Sequence, residues 1–260
     1  MEFFDTHAHY DDERFDADRE DLIKKLQKEG VTRCINIGCN IETSKASIEL
    51  ASKYDFIYAT CGIHPSEVPA ESSVLEEEIK QIENLACKSK KVVAIGEIGL
   101  DYYWDSDNKD MQKKAFIKQV ELANRLGLPI SIHTRDAIDD TISIIKNEVK
   151  IENGGILHCC PFNRELVRHG LEASLHIAFG GTCTFKNSKN AKEIVQMVPM
   201  HKLLIETDSP YLAPEPVRGT RNDSSNLKYV VGKIAEFKGL EPEEVARVTY
   251  ENAMRIFGIK

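Results

Sequence analysis

Short runs rich in Ile, Val and Phe alternate along the chain with longer stretches whose apolar residues recur every three or four positions. The short runs predict strands at Phe3–His7, Arg33–Ile37, Phe56–Gly62, Val92–Glu97, Pro129–His133, Gly155–His158, Leu175–Phe179 and Leu203–Glu206. Several are almost continuously apolar, as parallel strands covered on both faces require. Between them, Asp110–Leu126 carries Phe116, Val120 and Ala123 on one stripe and lysines elsewhere, the pattern of a half-buried helix. Gly30 and Gly127 stand where helices need a C-terminal cap. A closing helix is expected from Pro242, with Glu243 and Glu244 in the turn that favours acids and Val245, Val248 and Ile256 on its buried side.

Eight strands alternating with helices over 260 residues predict an α/β protein, a (β/α)8 TIM barrel filling one domain from residue 1 to 260. A doubly wound open sheet shows the same alternation, but no Gly-x-Gly-x-x-Gly follows the first strand. Linkers, repeats and low-complexity tracts are absent from the sequence. The segment Asp208–Ser225, rich in Pro, Asn and Asp, predicts a long functional loop ahead of the last helices.

Composition narrows the function classes. With 42% hydrophobic and 29% charged residues the chain reads as an ordinary globular protein, not a disordered, collagenous or membrane-spanning one. Its net charge of -8 argues against coating nucleic acid through a broad basic face. That acidity lies in the first half: residues 1–130 hold 25 acids against 17 bases, whereas residues 131–260 hold 17 of each. The seven cysteines form no Cys-x-x-Cys and are expected to be reduced thiols. Glu2 and Asp5 fall where a secretory signal would need basic and then apolar residues, so a cytoplasmic protein is expected.

The candidate chemistry sits at the ends of the predicted strands. His7 and His9, two residues apart in Asp5-Thr6-His7-Ala8-His9, project to the same side of a strand, as Asp5 does, and can hold one divalent ion. Glu97, His133 and His158 end three further strands, and Asp208 follows the eighth. In a parallel barrel these ends form one rim, where the active sites of such barrels lie. Six ligand-type side chains there are hard to explain by packing, because a buried, unpaired carboxylate costs several kcal/mol and a metal would satisfy it. Six ligands exceed what one hydrolytic ion uses, so two divalent ions (Mg, Mn or Zn) are expected. Glu97, between Gly96 and Gly99, is the natural bridge, with His7 and His9 on one ion and His133 and His158 on the other. Asp208 would complete a shell and take the proton of the attacking water.

The sequence resembles the TatD family of metal-dependent deoxyribonucleases over nearly its whole length. The likeness is carried by Phe4-Asp5-Thr6-His7-Ala8-His9, Gly62-Ile63-His64-Pro65 and Ala94-Ile95-Gly96-Glu97-Ile98-Gly99-Leu100-Asp101-Tyr102-Tyr103. It continues through Pro129-Ile130-Ser131-Ile132-His133-Thr134-Arg135-Asp136-Ala137, Thr184-Phe185-Lys186, Glu206-Thr207-Asp208-Ser209-Pro210-Tyr211-Leu212-Ala213-Pro214, Arg218-Gly219 and Asn252-Ala253. The resemblance implies a TIM-barrel hydrolase with a two-metal site formed by His7, His9, Glu97, His133, His158 and Asp208. It also implies hydrolysis of DNA phosphodiesters; Glu97 and Asp208 are the expected catalytic groups. Two segments depart from the family pattern. Cys159-Cys160-Pro161-Phe162 stands where the family has Cys-Phe-Ser-Gly, and Thr220 replaces a lysine.

The expected function is therefore exonucleolytic cleavage of DNA at single strands or frayed ends, by a monomer or weak oligomer that needs no membrane. The alternatives are an ester or amide hydrolase on the same site, such as an aminoacyl-tRNA deacylase, and a non-catalytic metal-binding barrel. His64, Arg135 and Arg218 are the expected substrate contacts, joined in a small basic collar by Arg164, Arg221, Lys186, Lys189 and Lys192. Glu206 is expected to orient a ligand, and Trp104, with Tyr102 and Tyr103, to stack on a base or pack the barrel mouth. A thiolate ligand from Cys159 or Cys160 is disfavoured because the neighbouring ligands already fill a site. His169, His176 and His201 are expected at the surface, away from the rim.

Overall fold

Every one of the eight apolar runs forms a strand in the computed structural model, which describes residues 1–260. The strands are β1 Phe3–Ala8, β2 Val31–Asn36, β3 Ile57–Cys61, β4 Val92–Asp101, β5 Ile130–Arg135, β6 Gly155–Leu157, β7 Leu175–Phe179 and β8 Leu203–Ile205. All neighbours pair in parallel and in chain order. The helices are α1 Arg19–Lys28, α2 Ile41–Lys53, α3 Ser72–Lys88, α4 Lys109–Leu126, α5 Ile138–Asn147, α6 Arg164–Glu172, α7 Ala191–Met197, α8 Leu227–Lys238 and α9 Pro242–Ile256. Together they make a nearly closed (β/α)8 barrel. No helix is long and apolar enough to cross a membrane.

Local chemistry explains the element ends. Asn40 and Thr43 form a reciprocal capping box that starts α2. Gly127, left-handed at φ 68°, ends α4 where a cap was expected. Gly30 sits one residue beyond the cap of α1, which is Glu29. Strand β4 runs four residues past its expected end, to Asp101, because Ile98, Gly99, Leu100 and Asp101 pair with Ile132, His133, Thr134 and Arg135. Gly99 permits that pairing: its φ is +137°, and a Cβ there would lie 2.0 Å from the His133 carbonyl oxygen.

The seam between β8 and β1 is closed largely by polar groups. His9 N donates to Ser209 O at 2.7 Å, and Asp208 N donates to His7 O at 2.8 Å. Asp5, wholly buried, accepts from Thr207 N at 3.0 Å and from the hydroxyls of Thr207 and Ser224, each at 2.5 Å. Burial nevertheless dominates and raises the Asp5 carboxyl to about 7. A cluster of 55 buried residues forms the main core. A second cluster of ten, with Phe4 stacked 5.7 Å from Phe257, seats α9 against β1 and its neighbours.

Two expectations about histidines are corrected here. His169 and His176 are buried, at 6% and 7% exposure, not on the surface. His169 is covered within α6, where Glu172 lies 2.9 Å from Nδ1. His176 belongs to β7, a strand buried at all five positions because a parallel barrel strand has no solvent face. His201 is exposed, as expected.

Candidate metal centre

The six expected ligands converge on the C-terminal rim of the barrel. His7 lies in β1 and His9 just after it; Glu97 and His133 lie in β4 and β5; His158 follows β6 directly, and Asp208 comes three residues after β8. Glu97 is at the centre, only 3% exposed. Its Oε2 lies 3.3 Å from His7 Nε2, while its Oε1 lies 2.9 Å from His133 Nδ1 and 3.5 Å from His158 Nε2. Asp208 Oδ1 stands 3.4 Å from His9 Nε2 and 3.7 Å from His7 Nε2. The two carboxylate oxygens of Glu97 thus address different histidines, one the β1 side and the other the β5 and β6 side.

This donor set fits divalent cations. His7 Nε2 and His9 Nε2 face each other at 3.2 Å, a contact that one shared proton can satisfy only in one direction. Trios of ligand atoms from His7, Glu97 and His158, and from His7, His9 and Asp208, each lie within 4.8 Å of one another. Imidazole nitrogens with carboxylate oxygens suit zinc or manganese. Burial opposes charge on Glu97, yet His7, His158 and His133 hold its carboxyl well below the ordinary range. Burial likewise opposes charge on His133, but Asp101 and Glu97 push its imidazole up to about 9.

Two further carboxylates approach the outer nitrogens of the histidines. Asp101 Oδ2 lies 2.9 Å from His133 Nε2, on the side of the ring away from Glu97. Glu206 Oε1 lies 3.0 Å from His158 Nδ1, outside hydrogen-bond geometry, and accepts from Cys159 N at 2.6 Å. Nothing in strand periodicity marks Asp101, because the sequence pattern ends β4 at Glu97. Cys39 was missed altogether. Its thiol, in the loop after β2, lies 3.8 Å from Glu97 Oε2 and 4.0 Å from His9 Nδ1. A cysteine after a short apolar run carries no signal that separates it from core packing. Cys159 does reach His158 and Asp208, within 4.8 Å.

Above the ligands opens a cleft of about 930 Å³. His64 lines it, with Nε2 3.9 Å from Glu97 Oε1 and Nδ1 2.8 Å from the Ser66 hydroxyl; burial lowers its imidazole to about 4. Arg135 lines it too. Arg218 does not; its guanidinium lies 4.1 Å over the Phe185 ring instead. The rest of the expected basic collar is not on the cleft. Arg164 pairs with Glu193, and Arg221 chelates Asp18. Lys186 and Lys192 line a separate cleft of about 550 Å³. The mouth is instead rimmed by Asp11, Asp12, Glu13, Glu42 and Glu67, so its own cationic groups are few.

The family model described as TatD related DNase matches residues 4–258. An uncharacterized metal-dependent hydrolase, YabD of Bacillus subtilis, is 44% identical over 256 residues, covering 98% of this chain and 99% of the relative. A protein of Pectobacterium atrosepticum named 3'-5' ssDNA/RNA exonuclease TatD is 30% identical over 260 residues, covering 98% of each. Among solved structures, the TatD homolog YJJV of Escherichia coli K12 superposes with a TM-score of 0.91 at 26% identity, covering 99% of this chain and 98% of that one.

Proposed function

The chain belongs to the TatD-related DNase family of metal-dependent hydrolases, and from that premise we propose that it cleaves phosphodiester bonds of DNA with two divalent ions, working from single-stranded or frayed ends. The observation that carries this reading is the division of Glu97: one oxygen faces His7, the other faces His133 and His158. A carboxylate so divided is suited to bridging two ions. His7 and His9 would complete one ion's shell with Asp208, and His133 and His158 the other's. When bound, the ions supply Lewis acidity to the phosphoryl oxygens and acidify the attacking water. Asp208, beside His9 and held ionised, would be placed to accept a proton from a water at that site. Arg135 offers a guanidinium to a phosphate at the cleft wall. His64, kept neutral by burial, is suited to hydrogen-bonding an uncharged substrate group or ordered water rather than to neutralising a phosphate.

The ligand-lined mouth and its acidic rim favour one strand over a duplex, since a duplex brings about one charge per 1.7 Å of axis. The Pectobacterium relative's name points the same way. The test is digestion of a 5'-labelled single-stranded oligonucleotide with Mg, Mn or Zn, beside an aminoacyl ester under the same conditions. Stepwise shortening from the 3' end is expected, with about two ions per chain by metal analysis. Ester cleavage without nuclease action in a chain holding two ions would move the reading to an ester hydrolase on the same site. An intact oligonucleotide and an intact ester would leave a metal-binding barrel.

A further inference from the structure

Tyr103 and Trp104, shortly after β4, are among the most exposed large hydrophobic side chains of the molecule, at 54% and 68%. Leaving a tryptophan in water forgoes the burial that usually stabilises it, so its surroundings bear on its use. The two rings meet edge to face, with centroids 4.9 Å apart at 87°. The Arg135 guanidinium lies 3.7 Å over the Tyr103 ring and 5.5 Å from the Trp104 ring. Trp104 and Arg135 line the same cleft as His9, Glu97, His133 and Asp208.

The turn that carries the rings is fixed to the metal centre. Asp101 Oδ1 accepts from Tyr103 N at 2.9 Å and Trp104 N at 3.1 Å, while Oδ2 meets His133 Nε2 at 2.9 Å. Gln112 of α4 is buried and braces the turn from beneath: Oε1 accepts from Asp101 N, and Nε2 donates to Asp101 O and Asp105 O. One carboxylate therefore sets both a ligand histidine and the exposed indole. The other exposed ring of the mouth, Tyr211, is already engaged by Arg14 at 4.2 Å over its face and by Asp12 at its hydroxyl.

We propose that Trp104, backed by Tyr103 and Arg135, is a stacking platform for an unpaired nucleobase, and that it sets the adjoining phosphate over the metal centre. The inference rests on the nucleic-acid reading of the cleft. It follows from charge as well as shape. With carboxylates round the rim and Arg135 the one Lys or Arg side chain lining the cleft, the bases must supply much of the grip that phosphates supply elsewhere. A flat indole accepts any base, which suits an enzyme that advances along one strand.

Trp104 is the only tryptophan in the chain, so its emission reports this position alone. The probe is a 5'-fluorescein phosphorothioate pentathymidylate, which resists cleavage, in Mg. Its abasic analogue of equal length carries the same phosphates. Saturable quenching of Trp104 by the thymidylate, with little by the abasic strand, is expected. Trp104→Ala should weaken thymidylate binding roughly ten-fold by fluorescein anisotropy, with Trp104→Phe close to the parent. The metal content of both variants, by elemental analysis, should be unchanged. Binding by anisotropy with no quenching, or equal loss with the abasic strand, overturns the platform and leaves the nuclease reading standing. No binding of either strand to the metal-loaded parent overturns both.

Discussion

Asp101 touches His133 through the nitrogen that Glu97 leaves free, and its removal from charge is the most direct check on the ligand set. Asp101→Asn keeps the size of the side chain but takes away the anion that fixes the ring. Metal affinity is expected to fall about 10- to 100-fold, read by competition with a chromophoric chelator. Strand-end position and residue type suffice to pick out His7, His9, Glu97, His133, His158 and Asp208 from the chain. Asp101 and Cys39 escape that reasoning because their roles depend on how far β4 extends and how the loop after β2 turns inward. His176 escaped for a related reason: polarity does not reveal burial in a strand covered on both faces. Burial, reinforced by Lys202 and Arg255, lowers its imidazole to about 4, so the folded chain keeps it neutral. The unfolded chain takes up the proton near 6.5. Stability is therefore lost as pH falls from about 6.5 to 4, and no further below that. His176→Asn should flatten this part of the pH profile by roughly 1–2 kcal/mol, discounted for nearby water, in urea unfolding at pH 7 and pH 4.

At the scale of elements, the barrel is assembled from strand contacts too close for side chains. A Cβ at Gly62 would stand 2.6 Å from the Gly96 carbonyl carbon, and one at Gly99 would stand 2.0 Å from the His133 carbonyl oxygen at a φ reserved for glycine. Gly99→Ala must push β4 off β5 and carry His133 with it. A loss of at least about 2–3 kcal/mol is expected, with weaker metal binding in whatever folds, measured by denaturant unfolding and chelator competition. The β8–β1 seam makes a second case. Asp5→Ala would strip partners from the Thr207 amide and from two hydroxyls in a dry site, so a loss of about 2–4 kcal/mol is expected by the same unfolding measurement. Element type and order were legible because each strand is a distinct apolar run and each long helix has a stripe. Element ends were less so. The extension of β4 depends on Gly99 accepting the close approach of β5, which no local pattern shows. The polar seam is likewise long-range: Asp5 and Thr207 are 202 residues apart.

Across the whole molecule, charge is organised opposite to a basic collar. Of the 25 acids of the first half, Asp11, Asp12, Glu13, Glu42 and Glu67 border the cleft, Asp12 in an ion pair with Arg14. The second half contributes cations that are spent elsewhere, Arg221 on Asp18 and Arg164 on Glu193. Net charge by halves is legible in the sequence; its assignment to a rim is not, because pairing partners are distant along the chain. The consequence for a nucleic-acid substrate is quantitative. A protein that neutralises many phosphates with Lys and Arg loses affinity steeply with salt, about 0.7 logarithmic units per contact for a single strand and each ten-fold of salt. With Arg135 as the one Lys or Arg side chain on the cleft, raising salt from 50 to 200 mM should lower kcat/KM only about three-fold. The remaining attraction would come from bound ions at the floor and from stacking at Trp104, of which stacking is the less sensitive to salt. Initial rates on a labelled pentanucleotide over that salt range, at saturating metal, decide the matter. A fall of a hundred-fold or more would mean that a basic track outside the cleft holds the strand, with Arg218, Lys186 and Lys192 the first to replace.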